Sequence, residues 1–402
     1  MKIPVKEICE YVEANRDTAI DFLQKMVRIP SITGNEYEIC NFLEAWFKEN
    51  LDLELKIYEE EKGRKNFVVN WYGNQPGERF LFNGHLDEFP ESTDEVGLYP
   101  PFSGEIKDGY MYGRGSADMK SGLCATIMAV YFLKKMGYVP ETGTVSLSCC
   151  IDEEDGGPQG VMYMLKQGEC EADYGVCAEP TNGRLFVAGG ATIWGNVTYK
   201  AEAGHPACCP FHIDANRKAI KAINALLDYS DKVMEERFHE ELGGGPTMYI
   251  TVVNGGIASN VCSESCTFHF DRRLVPTESI EGVEKEILNI LEKLKAEDPG
   301  MDFEYVRECY VPQYNLDRNH KLIKSAMESM EAFTGRKSEF LVRHGGSDTH
   351  KIVEKYPKAC IPNFGPADEY ADGICSANER CNLQTYVDFI KVYMNMVVDL
   401  QG

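Results

Sequence analysis

Segments with the hydrophobic pattern of strands and of helices alternate through about the first 180 residues of this 402-residue chain. Residues 143–151 form a continuous apolar run typical of a buried strand, and residues 119–136 have the period of a long helix that ends at Gly137. Strands alternating with helices are typical of a sheet whose faces are covered by helices. The alternation therefore predicts an α/β fold with a mostly parallel sheet.

The pattern changes after Gly183 and then returns. Residues 193–307 have the order strand, helix, strand, strand, helix, strand, which is the ferredoxin-like arrangement. From Pro312 onward the first pattern resumes. We predict an inserted ferredoxin-like α+β domain at residues 184–309 and a discontinuous larger domain at residues 1–183 and 310–402, since exposed loops tolerate such insertions.

Charge and composition exclude several classes of partner. The formal net charge is −23, from 64 acidic and 41 basic residues, whereas nucleic acids and anionic membranes require a basic surface. We found neither an apolar run long enough to span a membrane nor a signal peptide, and we expect a cytoplasmic protein. The 15 cysteines include no CxxC pair, which indicates reduced and mostly buried thiols.

Four polar clusters follow strand-like runs, where an open α/β sheet places its ligand site. They are residues 82–87 with His85 and Asp87, residues 113–122 with Asp118, residues 152–157 with Glu153 and Glu154, and residues 177–181 with Glu179. A single histidine after a strand is more often structural, and an aspartate before a helix is often an N-cap. The four clusters in series favour a site instead.

The residue types in these clusters suit metal binding. His85 and Asp87 are two apart in an extended segment, so both can face one side, with the carboxylate orienting a ligating imidazole. Four consecutive acids at residues 152–155 repel one another unless cations compensate, although a solvated acidic loop is the alternative. Oxygen ligands with one nitrogen suit Zn, Mn or Co. Of two adjacent glutamates, one can bind metal while the other takes a proton from water.

These residues, in this order, resemble the M20 metallopeptidase family, which includes acetylornithine deacetylase, succinyl-diaminopimelate desuccinylase, aminoacylase and carboxypeptidase G. The resemblance covers nearly the whole chain and rests on the runs GHLD, GRGSADMKSG, DEEDGG and AEPT. It implies a catalytic domain with two divalent metal ions, zinc with Co or Mn as alternatives. The inserted domain would form a homodimer and close over the site as a lid. The implied reaction is hydrolysis of an amide bond in a small N-acyl amino acid or short peptide.

The resemblance also implies a role for each matched residue. His85 and Glu179 would bind one metal and Glu154 the other, Asp118 would bridge both, Asp87 would orient His85, and Glu153 would be the general base. In the inserted domain, His205 would stabilise the oxyanion in a neighbouring subunit, Asn260 would bind the scissile carbonyl, and Arg273 would bind the substrate carboxylate. The alternative is that neither binds substrate, with Asn260 a turn residue and Arg273 a surface residue. Gly346 and Ser347 match the glycine loop that lets backbone approach the substrate.

One departure from the family pattern concerns the second metal. The family has Ala-His-x-x-Asn-Glu near its end, and this chain has Cys375 at the histidine position. Either Cys375 is a thiolate ligand, which would favour Zn over Mn, or His344 or His350 substitutes, or the second site is weak. A binding or regulatory homologue without turnover is therefore the alternative function. The chain lacks GxGxxG after its first strand and GxxxxGK[ST] anywhere, which argues against a nucleotide-dependent enzyme.

Overall fold

The computed structural model describes residues 3–91, 96–208 and 214–402. Its helices are α1 (Val5–Ala14), α2 (Arg16–Arg28), α3 (Tyr37–Asn50), α4 (Ser121–Lys135), α5 (Val161–Lys166), α6 (Ala215–Glu236), α7 (Ile280–Glu297), α8 (Lys321–Thr334), α9 (Asp348–Lys355) and α10 (Leu383–Gln401). Its strands are β1 (Glu54–Glu59), β2 (Lys65–Tyr72), β3 (Gln75–His85), β4 (Glu105–Lys107), β5 (Tyr110–Tyr112), β6 (Thr142–Cys150), β7 (Tyr174–Cys177), β8 (Leu185–Gly190), β9 (Thr192–Lys200), β10 (Thr247–Gly255), β11 (Ser265–Arg273), β12 (Phe303–Val311), β13 (Tyr314–Asn315), β14 (Phe340–His344) and β15 (Arg380–Asn382). Within these residues, no helix is both long and apolar enough to cross a membrane.

The chain divides into two compact units. The first comprises Met1–Val187, Leu316–Leu341 and Ser347–Gly402, and the second comprises Ala188–Asn315 and Val342–Gly346. The range that we predict for the inserted domain, residues 184–309, overlaps most of the second unit.

The first unit is built on a mixed five-stranded sheet in the order β1-β2-β6-β3-β7. β3 pairs in parallel with β6 and β7, as the alternation of strands and helices predicts, while β1, β2 and β6 pair antiparallel. A short turn at residues 73–74 reverses the chain between β2 and β3, so β2 runs opposite to β6. α4 and α10 pack against each other and against β3 and β6. Twelve of the 15 residues of α4 are buried, so this helix is covered on nearly all sides.

This topology brings the polar clusters together. Parallel strands end at the same edge of a sheet, and β3 ends at His85, β6 at Cys150 and β7 at Cys177. The acidic loop after β6 and Glu179 after β7 therefore begin at the edge where His85 lies. The fold of the first unit places a candidate site at this edge.

The second unit is an antiparallel sheet in the order β10-β11-β9-β12 with α6 and α7 packed on it. The chain order β9, α6, β10, β11, α7, β12 is the ferredoxin-like order that the sequence predicts. Its core is apolar and includes Val197, Leu226, Phe268 and Ile287, each 0% exposed. Burial of these side chains is the main force that holds the helices to the sheet.

The apolar pattern of residues 3–47 predicts two helices around the turn at residues 30–34, and the structure differs from this prediction. Three helices are present, because the chain leaves helical geometry at Asn15, where φ is −114° and ψ is 18°. α1 and α2 therefore lie in sequence with a single residue between them, and α3 follows the turn at residues 30–34.

Candidate metal centre

His85 is the last residue of β3 and is buried against three acidic residues. Its Nδ1 donates to the carbonyl oxygen of Asp87 at 2.9 Å, because a carbonyl can only accept. Its Nε2 lies 3.3 Å from Asp118 Oδ1 and 3.9 Å from Glu153 Oε2. The imidazole is thus oriented by Asp87 and presents Nε2 to the carboxylates.

Asp118 lies in a tight turn that precedes α4. The helix begins at Ser121, and Asp118 has φ −114° and ψ 100°, so it does not serve as the N-cap. Gly115 precedes the turn with φ +72°, and a Cβ there would lie 2.2 Å from Glu88 Oε2. At Gly122 a Cβ would lie 1.8 Å from the carbonyl oxygen of Ala178. Two of the glycines that flank Asp118 are therefore required by close packing.

Asp87 connects His85 to the acidic loop. Its Oδ1 accepts the backbone N–H of Glu153 and its Oδ2 accepts that of Glu154, each at 3.1 Å. Thr33 donates its hydroxyl to Asp87 Oδ2 at 3.0 Å. Its backbone carbonyl accepts a hydrogen bond from the imidazole of His85. This fully buried residue therefore fixes His85 together with the backbone of Glu153 and Glu154.

Three of the predicted ligands form one cluster. One ligand atom from each of His85, Asp118 and Glu154 lies within 4.8 Å of the others. Two carboxylates and an imidazole are a donor set suited to borderline divalent cations such as Zn²⁺. Glu179 follows β7, is 8% exposed, and lies outside this set of three.

The electrostatics of the cluster also fit a cation. Burial raises the pKa of Glu153 well above its usual value, and the charges of Glu179 and Glu154 raise it further. Burial and then the charge of Asp118 raise the pKa of Glu154 to about 10. Burial likewise raises the pKa of Asp348, whose Oδ2 is buried without a hydrogen bond, to about 7. Divalent cations among these carboxylates would compensate their mutual repulsion, so the residues present fit a metal centre.

A family model described as peptidase family M20/M25/M40 matches residues 81–399. The chain belongs to peptidase family M20/M25/M40. This match spans all four clusters and the second unit, and it confirms the family resemblance. The chain is accordingly a hydrolase of a metal-binding family.

Solved structures share the M20 fold over nearly the whole chain. An M20 family metallo-carboxypeptidase from Sulfolobus solfataricus has a TM-score of 0.78 and 17% identity, with 94% of this chain and 98% of that chain covered. A tripeptidase from Staphylococcus aureus has a TM-score of 0.74 and 20% identity, with coverage of 96% and 98%. The Bacillus subtilis YXEP protein, a dinuclear metal binding M20 peptidase, has a TM-score of 0.69 and 17% identity, with coverage of 97% and 99%. These likenesses confirm the α/β fold with an inserted domain.

Cys375, which the family resemblance places at the histidine position, lies outside the set of three candidate ligands within 4.8 Å. Its backbone has φ +62°. Burial and then the charges of Glu154 and Asp118 raise the pKa of its thiol to about 12. The thiol is thus within electrostatic reach of two predicted ligands, and a nearby cation would lower its pKa.

His344 and His350, the alternatives to Cys375 as a metal ligand, lie outside the cluster of candidate ligands. His344 belongs to the second unit, where it hydrogen-bonds to the backbone of Leu274. His350 is 1% exposed in α9. Like Cys375, neither belongs to the group of close ligand atoms found among the described residues.

The turn of Asp118 is held by Glu379, which stands at the glutamate of the pattern Ala-His-x-x-Asn-Glu. Glu379 Oε1 accepts the backbone N–H groups of Ala117 at 3.0 Å and Asp118 at 3.2 Å. Its Oε2 pairs with Arg114 at 2.9 Å, and Arg114 donates to the carbonyl oxygen of Cys375 at 3.1 Å. The Asn-Glu part of the family motif was the available signal, but a contact across 261 residues is not visible in a single sequence.

Three predicted site residues, His205, Asn260 and Arg273, belong to the second unit. His205 is exposed, and its Nδ1 accepts the backbone N–H of Ala207 at 3.2 Å, whereas Cys209 and Pro210 of the same motif lie outside the described residues. Asn260 is exposed in the loop between β10 and β11. Arg273 forms a two-point ion pair with Asp271, with Nε–Oδ1 and Nη2–Oδ2 distances of 2.7 Å.

The glycine loop passes from one unit to the other. At Gly346, in the second unit, a Cβ would meet Val311 only at 3.6 Å, an ordinary contact. Ser347, in the first unit, is buried and donates its hydroxyl to Asn363 Oδ1 at 3.1 Å. The interactions described for this loop are internal ones, and contact with substrate remains a prediction.

Proposed function

We propose that this M20 protein hydrolyses the amide bond of a short peptide or small N-acyl amino acid, with Glu153 as general base. The observation that carries the proposal is the cluster of His85, Asp118 and Glu154 within 4.8 Å, with Glu153 Oε2 at 3.9 Å from the imidazole. The similar structures include a carboxypeptidase, a tripeptidase and a dipeptidase, which favours a peptide substrate over an N-acyl amino acid.

His85, Asp118 and Glu154, joined by Glu179 and Cys375, would hold two divalent ions, Zn²⁺ in our proposal. When bound, such ions polarise a carbonyl and lower the pKa of water. The Glu153 carboxylate takes a proton from the attacking water as the new C–O bond forms. Glu153 then gives that proton to the amine nitrogen as the C–N bond breaks.

The residues of the second unit would complete the site in this proposal. His205 would stabilise the oxyanion and Asn260 the scissile carbonyl. Arg273 would bind the terminal carboxylate of the substrate through the guanidinium edge that does not face Asp271. Gly346 and Ser347 would line the path of the substrate backbone. Closure of this domain as a lid would bring these groups to the substrate.

A homodimer is the proposed assembly, and β10 supports it. β10 is an edge strand with three exposed apolar side chains, Tyr249 at 64%, Val252 at 43% and Val253 at 54%. The opposite edge strand, β12, carries Glu304, Arg307 and Glu308. Charged side chains protect an edge from pairing, whereas an apolar edge offers unpaired backbone groups to another strand. A second copy of this chain at β10 would cover that surface.

The test is a hydrolysis screen. Purified protein is treated with a chelator, loaded with Zn²⁺, Co²⁺ or Mn²⁺ in turn, and assayed on dipeptides, tripeptides and N-acyl amino acids. We expect metal-dependent release of an amino acid from short peptides with a free carboxylate. Esterified peptides are the matched controls, because they remove the group that Arg273 would bind. Absence of hydrolysis with every metal and substrate would contradict the proposal.

A further inference from the structure

Arg64 is a buried guanidinium that bridges two carboxylates from distant parts of the chain. It lies at the end of the turn between β1 and β2, where its Nε is 2.6 Å from Glu36 Oε2 and its Nη2 is 2.8 Å from Glu36 Oε1. The same Nη2 donates to Asp152 Oδ1 at 2.8 Å. Arg64, Glu36 and Asp152 are 3%, 0% and 4% exposed. These contacts are outside the metal cluster.

Asp152 is the residue through which Arg64 reaches the acidic loop. It directly precedes Glu153, and its Oδ2 accepts the backbone N–H of Gln159 at 3.0 Å. Its carbonyl oxygen accepts the N–H of Gly157 at 2.7 Å. Its φ of +67° is one that aspartate and asparagine tolerate better than most residues. Asp152 therefore ties together both ends of the loop that carries Glu153 and Glu154.

Glu36 connects Arg64 to the same site from the other side. Its Oε1 accepts the backbone N–H of Gly34 at 2.9 Å, and the neighbouring Thr33 donates to Asp87 Oδ2. Asp87 in turn accepts the backbone N–H groups of Glu153 and Glu154. Hydrogen bonds and short chain segments thus form a closed ring from Arg64 through Glu36 and Asp87 to the acidic loop, and back through Asp152.

Stability alone is a poor reason for this arrangement. A buried ion pair usually contributes no more to folding than apolar residues of the same volume, because desolvation of the charges offsets their attraction. What such a group supplies is fixed geometry, since a guanidinium binds two carboxylates only in defined directions. We propose that Arg64 is a positioning residue that, through Asp152 and Glu36, fixes the loop of Glu153 and Glu154. The inference takes the roles of the two glutamates from the proposed function.

Arg64→Lys and Asp152→Asn test this directly. Lysine keeps the charge, but its single ammonium cannot reproduce a two-point bond to Glu36 together with a bond to Asp152. Asparagine keeps the shape of Asp152 and tolerates its backbone angles, but removes the charge that faces Arg64. Lys391→Met is the control, because Lys391 is a buried cation of α10 that pairs with Asp388 at 2.9 Å. It belongs to the same unit but not to the ring.

The readouts are the Zn²⁺ dissociation constant, measured by competition with a chelating dye, and the separate values of kcat and KM on a peptide from the screen. We expect Arg64→Lys and Asp152→Asn to weaken Zn²⁺ binding by about 10- to 100-fold, as changes to groups behind metal ligands do. We expect kcat to fall by a similar factor while KM stays within about threefold. Lys391→Met is expected to lower Tm and leave both readouts unchanged.

Zn²⁺ affinity and kcat at the wild-type level in both folded variants would overturn the inference, whatever the change in Tm. If Arg64→Lys does not fold, Asp152→Asn decides by the same readouts. Failure of the proposed function is distinguishable: wild-type protein would then hydrolyse no substrate, and the Zn²⁺ affinities alone would still decide whether Arg64 positions the loop.

Discussion

Asp87 accepts the backbone N–H of Glu153 at 3.1 Å, so the residue that orients the imidazole also holds the proposed base. Its other carboxylate oxygen accepts the backbone N–H of Glu154, also at 3.1 Å. Asp87 was expected only to orient His85, but its carboxylate also holds the backbone of Glu153 and Glu154. Substitution of Asp87 tests whether this residue supports both His85 and the loop of Glu153 and Glu154.

We predict that Asp87→Asn weakens Zn²⁺ binding by about 10- to 100-fold. Asparagine has one acceptor oxygen, so one backbone N–H of the loop would face an NH₂ group, and loss of a buried acceptor costs about 1–3 kcal/mol of stability. Chelator competition and thermal unfolding measure the two effects. Asp173→Asn is the control, because Asp173 also accepts a backbone N–H, that of Arg79 at 2.8 Å. Equal Zn²⁺ affinity in the two variants would contradict the prediction.

In the proposed function, binding of the second metal ion depends on Cys375. If the thiolate is a ligand, wild-type protein binds two Zn²⁺ ions, Cys375→Ala binds the second at least about 10-fold more weakly, and Cys375→His restores it. Metal analysis after dialysis and titration calorimetry measure this. Two tightly bound ions in Cys375→Ala would exclude the thiolate as a ligand. A wild-type protein with one ion and no activity that gains activity on Cys375→His would favour the regulatory alternative.

The stability of the metal-free protein should fall as pH rises. Burial raises the pKa of Glu154 from 4.5 to about 10, so between these values the folded protein holds a proton that the unfolded chain has released. The free energy of unfolding then decreases with pH by up to about 1.4 kcal/mol per pH unit for this group. Thermal unfolding between about pH 6 and about pH 9 measures the slope. Glu154→Gln should reduce it, and an unchanged slope in that variant would contradict the assignment.

The proposed dimer interface is tested at the two edges of one sheet. Val253→Lys places a charge on the apolar edge strand β10 and should shift the protein toward the monomer, because burial of an unpaired charge is unfavourable. Val306→Lys on β12 is the matched control, since Val306 is 51% exposed and Val253 is 54% exposed. Light scattering after size-exclusion chromatography gives the masses. A wild-type monomer, or equal effects of the two variants, would contradict the interface.

The layered fold, and the closeness of the candidate ligands His85, Asp118 and Glu154, could be predicted from the sequence for a physical reason. Buried strands such as β6 are long apolar runs, and polar residues directly after them must lie at one edge of a parallel sheet. The short strands β4, β5 and β15 were not predicted, because three residues carry too little hydrophobic pattern.

The supporting contacts could not be predicted in the same way. Arg64 meets Asp152 across 88 residues, and Glu379 meets Asp118 across 261 residues. Each of these residues is an ordinary charged side chain in its local sequence. Only the fold shows that they are buried and paired, and only then does a role in holding the centre follow.

The central claim is that Glu153 moves the proton in a metal-dependent hydrolysis. The direct measurement is kcat of Glu153→Gln against wild type at equal Zn²⁺ content, on a peptide that the wild-type protein cleaves. Glutamine has nearly the same size but cannot accept the proton, so we predict a fall in kcat of about 10²- to 10⁴-fold with Tm and metal content preserved. A folded, fully metal-loaded Glu153→Gln protein that hydrolyses the peptide at the wild-type rate would contradict the claim.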